Sequence, residues 1–365
     1  MKNTAYGIYF MGIGYKLLAR PILSLQNSEK AHGRAITGLK ITSWFILTRL
    51  LLRILYKPKI VKTEVFDLEF SNPLGLAAGM DKKAEAMRGW ENLGFGFIEV
   101  GGITQQKQSG NPKPRMFRDM KQGALINRMG FNNPGNDEMS THLQSTYKPK
   151  IPVFLNVGKS KTTSLENAHL DYADTVKKCG DFVDGFVINV SSPNTPNLRD
   201  LQKDEDLARI INEVKKYSSN KPVLVKISPD LEDNQIKSIV NTARELNCSG
   251  IIATNTTTSR PSAGGIMDET GGLSGTPLRD RSTEVIRLIA DHTDGDWPII
   301  GVGGISNSND AWEKISNGAS LVQLYSSLVF QGPAVIKDIV NGIDKKMKLE
   351  GYEKLSDVVG SARRI

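Results

Sequence analysis

The side chains best suited to chemistry in this sequence are amides, hydroxyls and ammonium groups that follow short apolar runs. Lys82, Asn156 and Lys226 each stand at or just beyond the end of such a run, and the polar stretches 189–196 and 254–256 follow two others. A lysine or asparagine at the end of a buried strand costs free energy unless a partner satisfies it. One such residue would be an ordinary core polar group, whereas several at equivalent positions predict a polar ligand site.

A glycine-rich turn near the C-terminus predicts a phosphate site. Residues 301–304 read Gly-Val-Gly-Gly, and Tyr325-Ser326 follows the next apolar run. Glycine-rich turns at helix N-termini offer free backbone N–H groups to an anion. The sequence contains neither the strand–GxGxxG–helix pattern of dinucleotide domains nor a P-loop. A phosphorylated cofactor such as FMN is therefore favoured over NAD or ATP.

The elements that must position these residues are short buried strands alternating with helices. Amphipathic stretches at 207–217, 233–246, 282–292 and 308–318 separate apolar runs, an order typical of parallel βα units. Eight units over about 270 residues fit a (β/α)₈ TIM barrel better than an open doubly wound sheet, which is the alternative. The eight runs are 73–78, 97–100, 153–156, 185–189, 223–226, 251–254, 299–302 and 321–324.

The basic character of the chain belongs to its N-terminal end. Residues 1–62 contain eleven Lys/Arg and one acid, Glu29, so this segment carries +10 of a formal total of +8, and the rest carries −2. Stretch 44–56 is apolar apart from Thr48, Arg49 and Arg53, and no run reaches the roughly 18–20 uncharged residues of a spanning helix. An amphipathic helical extension of this kind is typical of an anionic lipid surface rather than of nucleic acid. Docking on the protein's own core is the alternative.

Composition excludes several other classes of protein. The chain is 39% hydrophobic and 24% charged, as in an ordinary globular protein. Two cysteines and four scattered histidines argue against a disulfide scaffold, a metal site or a four-thiolate iron–sulfur cluster. The N-terminus lacks a small-residue cleavage site and the Arg/Ser-rich pattern of a transit peptide. These features favour a peripheral protein on the cytoplasmic face of a bacterial inner membrane.

Six motifs together resemble the dihydroorotate dehydrogenase family, over roughly residues 66–343. The resemblance is to class 2, the quinone-linked enzymes of pyrimidine (UMP) biosynthesis, which carry one FMN in a (β/α)₈ barrel behind a membrane-bound helical extension. It implies a helical segment at 1–62, an FMN barrel at 63–345, a C-terminal tail at 346–365 and a monomer. The motifs lie at 72–82, 127–132, 189–196, 253–257, 271–275 and 301–304.

The resemblance implies that Ser192 is the base that removes the C5 proton of (S)-dihydroorotate while the C6 hydride passes to flavin N5, giving orotate. Class 1 enzymes have a cysteine at this point. Thr195 and Phe131 lie where the family's proton relay would be. A hydroxyl is a poor base and no histidine is near it in the sequence. From the residues alone, a turn-capping hydroxyl before Pro193 is the alternative.

The resemblance also implies a set of substrate contacts. Asparagine suits them because its amide offers both a donor and an acceptor to a pyrimidine edge. The residues are Lys82, Asn127, Arg128, Met129, Gly130, Phe131, Asn189, Asn194, Asn255 and Thr256.

The FMN contacts implied by the resemblance overlap with these. An ammonium group beside the flavin, from Lys226, favours the anionic reduced form. Gly102 departs from the Ser or Thr of many relatives, and Thr104 is the nearby hydroxyl that would replace it. The residues are Ala78, Gly79, Met80, Asp81, Lys82, Gly102, Asn156, Asn189, Lys226, Thr254, Gly275, Gly304, Tyr325 and Ser326.

A reduced flavin needs an electron acceptor, and no NAD or iron–sulfur motif supplies one. The sequence therefore predicts a membrane quinone that reaches the flavin edge between segments 15–25 and 31–55. Two alternatives stay open. Another FMN barrel oxidoreductase would place a His or Cys base at a strand end, and a non-catalytic, membrane-associated phosphate-binding barrel would have lost residues such as Lys82 and Ser192.

Overall fold

The computed structural model describes residues 15, 17, 20–261 and 263–363. Its N-terminal part is helical: α1 (Arg20–Ser24), α2 (Ser28–Trp44) and α3 (Ile46–Tyr56). The side chain of Asn27 caps α2 by accepting hydrogen bonds from the N–H groups of the first turn. Residues 1–14, 16, 18 and 19 of the predicted helical segment lie outside the described residues.

Helices α2 and α3 differ in how they contact the barrel. Helix α2 buries Ala31, Ile36 and Ser43, whereas α3 buries no residue completely. Arg53 of α3 is exposed and donates to Asn92 Oδ1 of the barrel at 2.6 Å, and apolar side chains of α3 such as Leu47 and Ile54 are exposed as well. No single helix in the described part of the chain is long and apolar enough to span a membrane, and α2 with α3 meets that test only as a pair bent by 112°.

The body of the molecule is a closed barrel of eight parallel strands, which confirms the predicted fold. Every strand overlaps one of the eight predicted apolar runs, and the last strand pairs with the first. The strands are β1 (Leu74–Leu76), β2 (Phe97–Ile103), β3 (Val153–Val157), β4 (Gly185–Asn189), β5 (Val223–Lys226), β6 (Gly250–Ala253), β7 (Ile299–Val302) and β8 (Leu321–Leu324).

Helices surround this barrel and bury its outer surface. The four predicted helices are present with bounds shifted by three residues or fewer, because their apolar faces pack on the strands. The helices are α4 (Met87–Leu93), α5 (Asn136–Ser145), α6 (Ala168–Cys179), α7 (Asp204–Lys215), α8 (Asp233–Glu245), α9 (Arg279–His292), α10 (Ser308–Ser316), α11 (Ser326–Gln331), α12 (Ala334–Glu350) and α13 (Leu355–Val358).

Two small antiparallel sheets close the ends of the barrel, and the sequence did not predict them. A hairpin of Thr63–Val65 and Leu68–Phe70 contributes Phe70, which contacts Phe97 edge to face at 5.4 Å inside the barrel. At the opposite end, strands Met116–Asp119, Ala124–Asn127 and Gly272–Gly275 pair across a long sequence separation. This second sheet brings Asn127 and Gly275 to the barrel mouth.

The C-terminal residues pack against the barrel. Helix α12 continues through the boundary predicted at residue 345, and Leu355 and Val358 beyond it are buried. The N–H of Gly360 donates to the carbonyl of Ile315 at 3.0 Å. The segment predicted as a separate tail therefore shares its core with the last βα units.

Candidate functional site

A cavity opens where the carboxyl ends of the barrel strands meet, and it gathers most of the predicted site residues. Strands, their following loops and the antiparallel sheet at the mouth all contribute to its wall. The predicted residues that line it are Ala78, Gly79, Lys82, Gly102, Asn127, Met129, Gly130, Phe131, Asn156, Asn189, Ser192, Asn194, Lys226, Thr254, Asn255, Thr256, Gly275, Gly304, Tyr325 and Ser326.

Four predicted residues do not line this cavity. Met80 faces a second cavity. Asp81 accepts hydrogen bonds from the N–H groups of Glu85 and Ala86, both at 2.8 Å, before α4. The guanidinium of Arg128 pairs with the carboxylate of Glu269, in the loop after β6. Thr195 is buried within the same loop as Ser192.

The floor of the cavity holds a buried ion pair. Lys226 Nζ at the end of β5 lies 3.2 Å from Glu99 Oε1 on β2, and the Glu99 side chain is 0% exposed. Asn156 and Gln323 donate further hydrogen bonds to the same carboxylate, at 2.6 and 2.8 Å. A carboxylate can be buried as a charged group only when an opposite charge and hydrogen bonds of this kind offset the loss of its hydration. Lys226 is thereby held with its ammonium group at the cavity wall.

Side-chain amides form a connected network above this floor. Asn189 donates to Asn156 Oδ1 at 3.0 Å and accepts from Asn255 Nδ2 at 3.3 Å. Across the mouth, Asn194 donates to Asn127 Oδ1 at 3.3 Å. Each amide is fixed by its neighbour, so the set presents oriented donors and acceptors to a planar polar ligand.

Ser192 lies on the loop after β4 and faces the cavity, while 9% of the residue is exposed. Its Oγ accepts a hydrogen bond from the N–H of Asn194 at 3.3 Å. This contact is the turn-capping role that the residue type alone suggested. The hydroxyl therefore combines a fixed turn with a position on the cavity wall.

Lys82 supplies a second ammonium group to the cavity. Its Nζ donates to the carbonyl of Gly79 at 2.7 Å. Burial lowers the pKa of Lys82 to about 8, and the Glu29 carboxylate of α2 acts in the opposite direction. The group is therefore charged at neutral pH and loses its charge only a little above it.

The glycine turn after β7 brings backbone directly to the cavity. Gly303 and Gly304 have φ values of +130° and +71°, which residues with a side chain rarely adopt. A Cβ at position 304 would stand 2.4 Å from Cβ of Arg279. Only glycine allows this turn to lie against the start of α9, and Ser326 at the start of α11 lines the same wall.

Phe131 explains why position 102 carries no side chain. A Cβ on Gly102 would lie 2.8 Å from the Phe131 ring and 2.7 Å from Asn156 Oδ1. The alternative hydroxyl, Thr104, donates to the carbonyl of Gln106 and is not part of the cavity wall. The glycine thus makes room for the ring at this point.

A second cavity, between the N-terminal helices and the barrel, is mainly apolar. Tyr15, α1 and α2 form one wall, and Arg118 and His32 are among its few polar groups. Arg118 donates to three carbonyls at the end of α1, each at 2.7 Å, and so ties that helix to the sheet at the mouth. The apolar lining residues include Leu23, Ala31, Ala35, Ile36, Leu39, Met80, Trp90, Leu93, Met116, Leu125, Leu328 and Val329.

The two cavities share one side chain. Tyr325, which follows β8, lines the polar cavity and the apolar cavity.

Burial lowers the pKa of His32 to about 3, assisted by the charge of Lys82. This histidine is therefore neutral at physiological pH, as its apolar surroundings require.

Comparison with known proteins identifies the arrangement. The sequence profile described as dihydroorotate dehydrogenase matches residues 60–347. A dihydroorotate dehydrogenase (quinone) of Gloeobacter violaceus is 44% identical over 347 residues, covering 94% of this chain and 98% of the relative. One of Natronomonas pharaonis is 44% identical over 357 residues, covering 96% and 99%. This chain belongs to the dihydroorotate dehydrogenase family.

Solved structures of the family agree with the fold. The ligand-free DHODH of Eimeria tenella superposes with a TM-score of 0.80 at 35% identity, covering 87% of this chain and 98% of that one. The complex of the same enzyme with ferulenol gives a TM-score of 0.79 and covers 87% and 94%. The oxidoreductase family and the TIM barrel predicted from the sequence are thus confirmed.

Neither cysteine of this chain lies near the cavity mouth. Cys179 ends α6 and Cys248 precedes β6, and both are buried, which raises the pKa of each thiol to about 12. Among the described residues, no group of three or more His, Cys, Asp or Glu side chains is arranged to hold a metal ion. Ser192 is the residue of the loop after β4 that offers a nucleophilic atom to the cavity.

Sequence reasoning missed part of the wall and its most important support. Glu99 stands inside an apolar run, and nothing nearby in sequence indicates that Lys226 neutralises it. Gln323 also stands within a run, and its position two residues before Tyr325 was a usable signal. The other lining residues that were not named as site residues are Ala77, Asn132, Ser274, Leu278, Ile305 and Leu324, while Val302 and Gly303 belong to the turn predicted to bind phosphate.

Proposed function

We propose that this chain oxidises (S)-dihydroorotate to orotate in UMP biosynthesis, with one FMN per chain as hydride acceptor and a membrane quinone as terminal electron acceptor. The observation that carries the proposal is the pair of cavities, one polar and one apolar, that meet at Tyr325. A flavin at this boundary would face a polar substrate on one side and a lipophilic oxidant on the other.

The polar cavity has the chemistry that FMN requires. Among the described buried side chains, Asn132 Oδ1 and Gln323 Oε1 lack hydrogen-bond donors, and both residues line the cavity. A ligand N–H would satisfy either acceptor. The backbone at Gly303 and Gly304 suits the phosphate. The other FMN contacts would come from the cofactor-binding residues that line the wall.

Bound FMN would supply the hydride acceptor, and the chain's own residues would prepare the substrate. The amides of Asn127, Asn189, Asn194 and Asn255 would orient the ring, because their mutual hydrogen bonds fix which atom donates. The ammonium group of Lys82 would attract the carboxylate. Charged at neutral pH, it would hold an anionic substrate without a metal.

Ser192 Oγ would accept the C5 proton as the C6 hydride departs. The hydroxyl's own hydrogen must then leave; buried Thr195, three residues along the same loop, and Phe131 at the cavity wall would form the relay. A His or Cys base, as another FMN oxidoreductase would need, is absent from the described residues that line this cavity.

The apolar cavity would admit the quinone between segment 15–25 and the first part of the predicted segment 31–55. Within that second segment its lining ends at Leu39, so residues 40–55 do not line it. Exposed apolar side chains of α3 and its flanks, including Trp44, Leu47 and Ile54, would insert into a membrane surface. Basic residues of the same segment would face anionic lipid. The proposed state is a monomer on the cytoplasmic face of the membrane.

A steady-state assay of the purified protein tests this function. Dihydroorotate with a short-chain ubiquinone should yield orotate, followed by its ultraviolet absorbance, whereas NAD⁺ in place of the quinone should support no turnover. Formation of orotate with NAD⁺ as acceptor, or no formation of orotate with either acceptor, would contradict the proposal.

A further inference from the structure

The loop that carries Ser192 is held from outside by an asparagine to which no role has been assigned. Asn111 Nδ2 donates to the carbonyl of Asn194 at 3.1 Å and to the carbonyl of Arg128 at 3.0 Å. Its backbone N–H also donates to the carbonyl of Met129 at 3.0 Å. One amide thus ties the Ser192 loop to the segment that follows Asn127.

The backbone of Asn194 is constrained at both its N–H and its carbonyl by these contacts. Its N–H donates to Ser192 Oγ, and its carbonyl accepts from Asn111. The Asn194 side chain donates to Asn127. Loss of the Asn111 amide would leave the Asn194 carbonyl without this hydrogen bond. The backbone of Asn194 could then shift, and the Ser192 hydroxyl that it holds would shift with it.

Asn111 is itself fixed by a buried arginine. Arg115 Nη1 donates to the carbonyls of Asn111 and Ser109 at 2.8 and 2.7 Å, and Arg115 is 5% exposed. Its Nη2 lies 2.7 Å from Glu29 Oε1 on α2. Successive hydrogen bonds therefore connect Glu29 of α2, through Arg115 and Asn111, to the loop that carries Ser192.

We propose that Asn111 is a positioning residue that holds the 192–194 segment over the substrate, and that the Glu29–Arg115 pair supports it from the N-terminal helices. The proposal rests on the proposed function, because it assigns dihydroorotate to the cavity beside Ser192. It adds a second task to the N-terminal segment. Removing residues 1–60 would remove Glu29, so both half-reactions would change.

The pair Asn111→Asp and Asn111→Ala tests the clamp in the full-length, FMN-loaded protein. Aspartate keeps the shape of the side chain, has no N–H to donate and places a negative charge against the two carbonyl oxygens. Alanine removes the same hydrogen bonds without adding a charge, so an effect common to both variants reports the lost hydrogen bonds. Both variants should bind orotate about tenfold more weakly, as expected for loss of hydrogen bonds to buried carbonyls. Asn234→Ala, an exposed position on α8, is the matched control.

Three readouts distinguish positioning from general damage. Orotate binding is followed by the flavin spectrum, flavin reduction by anaerobic mixing with dihydroorotate, and reoxidation by mixing the reduced protein with quinone. The first two should weaken in both variants while reoxidation and FMN content stay at the level of the control. Unchanged orotate affinity, or equal losses in both half-reactions, would overturn the proposal.

Glu29→Gln tests the outer support. Measured at about pH 6, where Lys82 keeps its charge even without the Glu29 carboxylate, orotate binding should weaken by about threefold, since Arg115 keeps its two carbonyl acceptors and loses only the charged partner. No effect on orotate affinity would remove Glu29 from the proposal. Should the unmodified protein fail to reduce its flavin with dihydroorotate, the proposed function itself would fall, which separates the two failures.

Discussion

The two cavities on either side of Tyr325 differ in the polarity of the residues that line them. The polar one is walled by asparagines, glycine backbone and two lysines, all at strand ends or in the loops that follow. The apolar one is walled by helices and carries few polar groups, one of them a neutral histidine. Under the proposed function, the barrel would orient the polar reactant and the docked helical layer would shield the lipophilic one.

Under the proposed function, this contrast predicts that flavin reduction and flavin reoxidation respond to substitutions in different cavities. Substitutions in the polar cavity should affect reduction of the flavin, and those in the apolar cavity should affect its reoxidation. A substitution in one cavity that slows flavin reduction and flavin reoxidation equally would contradict this division.

The largest expected effect is that of Ser192→Ala. General acid–base catalysis typically contributes 10²–10⁴-fold, so reduction of the flavin by dihydroorotate should slow by about that factor. Reoxidation by quinone should not change, which serves as the internal control. Rapid mixing under anaerobic conditions measures both rates, and a reduction rate within about threefold of the unmodified protein would exclude the hydroxyl as base.

A bulky side chain in the apolar cavity should give the reverse pattern. Ala35→Trp places an indole where α2 lines the cavity, and quinone reoxidation should fall by about tenfold or more because apolar contact area for the quinone is lost. Thr37→Trp, at an exposed position two residues along the same helix, is the control. Reduction by dihydroorotate should be normal in both. Equal reoxidation rates in the two variants would place the quinone elsewhere.

The pH dependence of the two cavities should also differ. Because burial lowers the pKa of Lys82 to about 8, its charge is present below that pH and is lost above it. The affinity for orotate should therefore fall as pH rises through about 8, by up to about tenfold per unit. His32, with its pKa near 3, should add no titration to quinone reoxidation between pH 5 and 9. Lys82→Met should abolish the alkaline loss of orotate affinity, and an unchanged profile would contradict this assignment.

The smallest effect concerns the membrane. Leu47 on α3 and Leu349 on α12 are exposed to 77% and 76%, so they form a matched pair on different helices. Leu47→Gln should weaken binding to vesicles containing anionic lipid by about fivefold, whereas Leu349→Gln should not. Sedimentation with vesicles measures the binding. Equal losses would mean that α3 is not the membrane face.

The barrel was predictable because its information is local. Each buried strand is a short, mainly apolar run followed by polar residues, so the strands and the polar residues at their ends can be recognised from local sequence. The roles of Ser192 and of most other site residues come from the family resemblance. The four helices between strands were predictable for the same reason, since their apolar faces repeat with the helical period.

The parts that could not be predicted depend on pairing between distant segments. The sheet at the mouth joins Ala124–Asn127 to Gly272–Gly275, and the strands of the Phe70 hairpin have only three residues each. The Glu99–Lys226 pair joins two strands that are not neighbours in the barrel. Asp81 was predicted at the cofactor because it lies in a motif, yet its carboxylate binds the backbone before α4.

The most direct test of the division between the cavities follows the visible spectrum of one sample through both half-reactions. The purified protein should be yellow, about one equivalent of dihydroorotate should bleach it without oxygen, and quinone should then restore the colour. In Ala35→Trp the bleaching should persist and the restoration should be slow. A yellow protein that dihydroorotate leaves unbleached, or a colourless one that FMN does not reconstitute, would contradict the claim that one flavin links the two cavities.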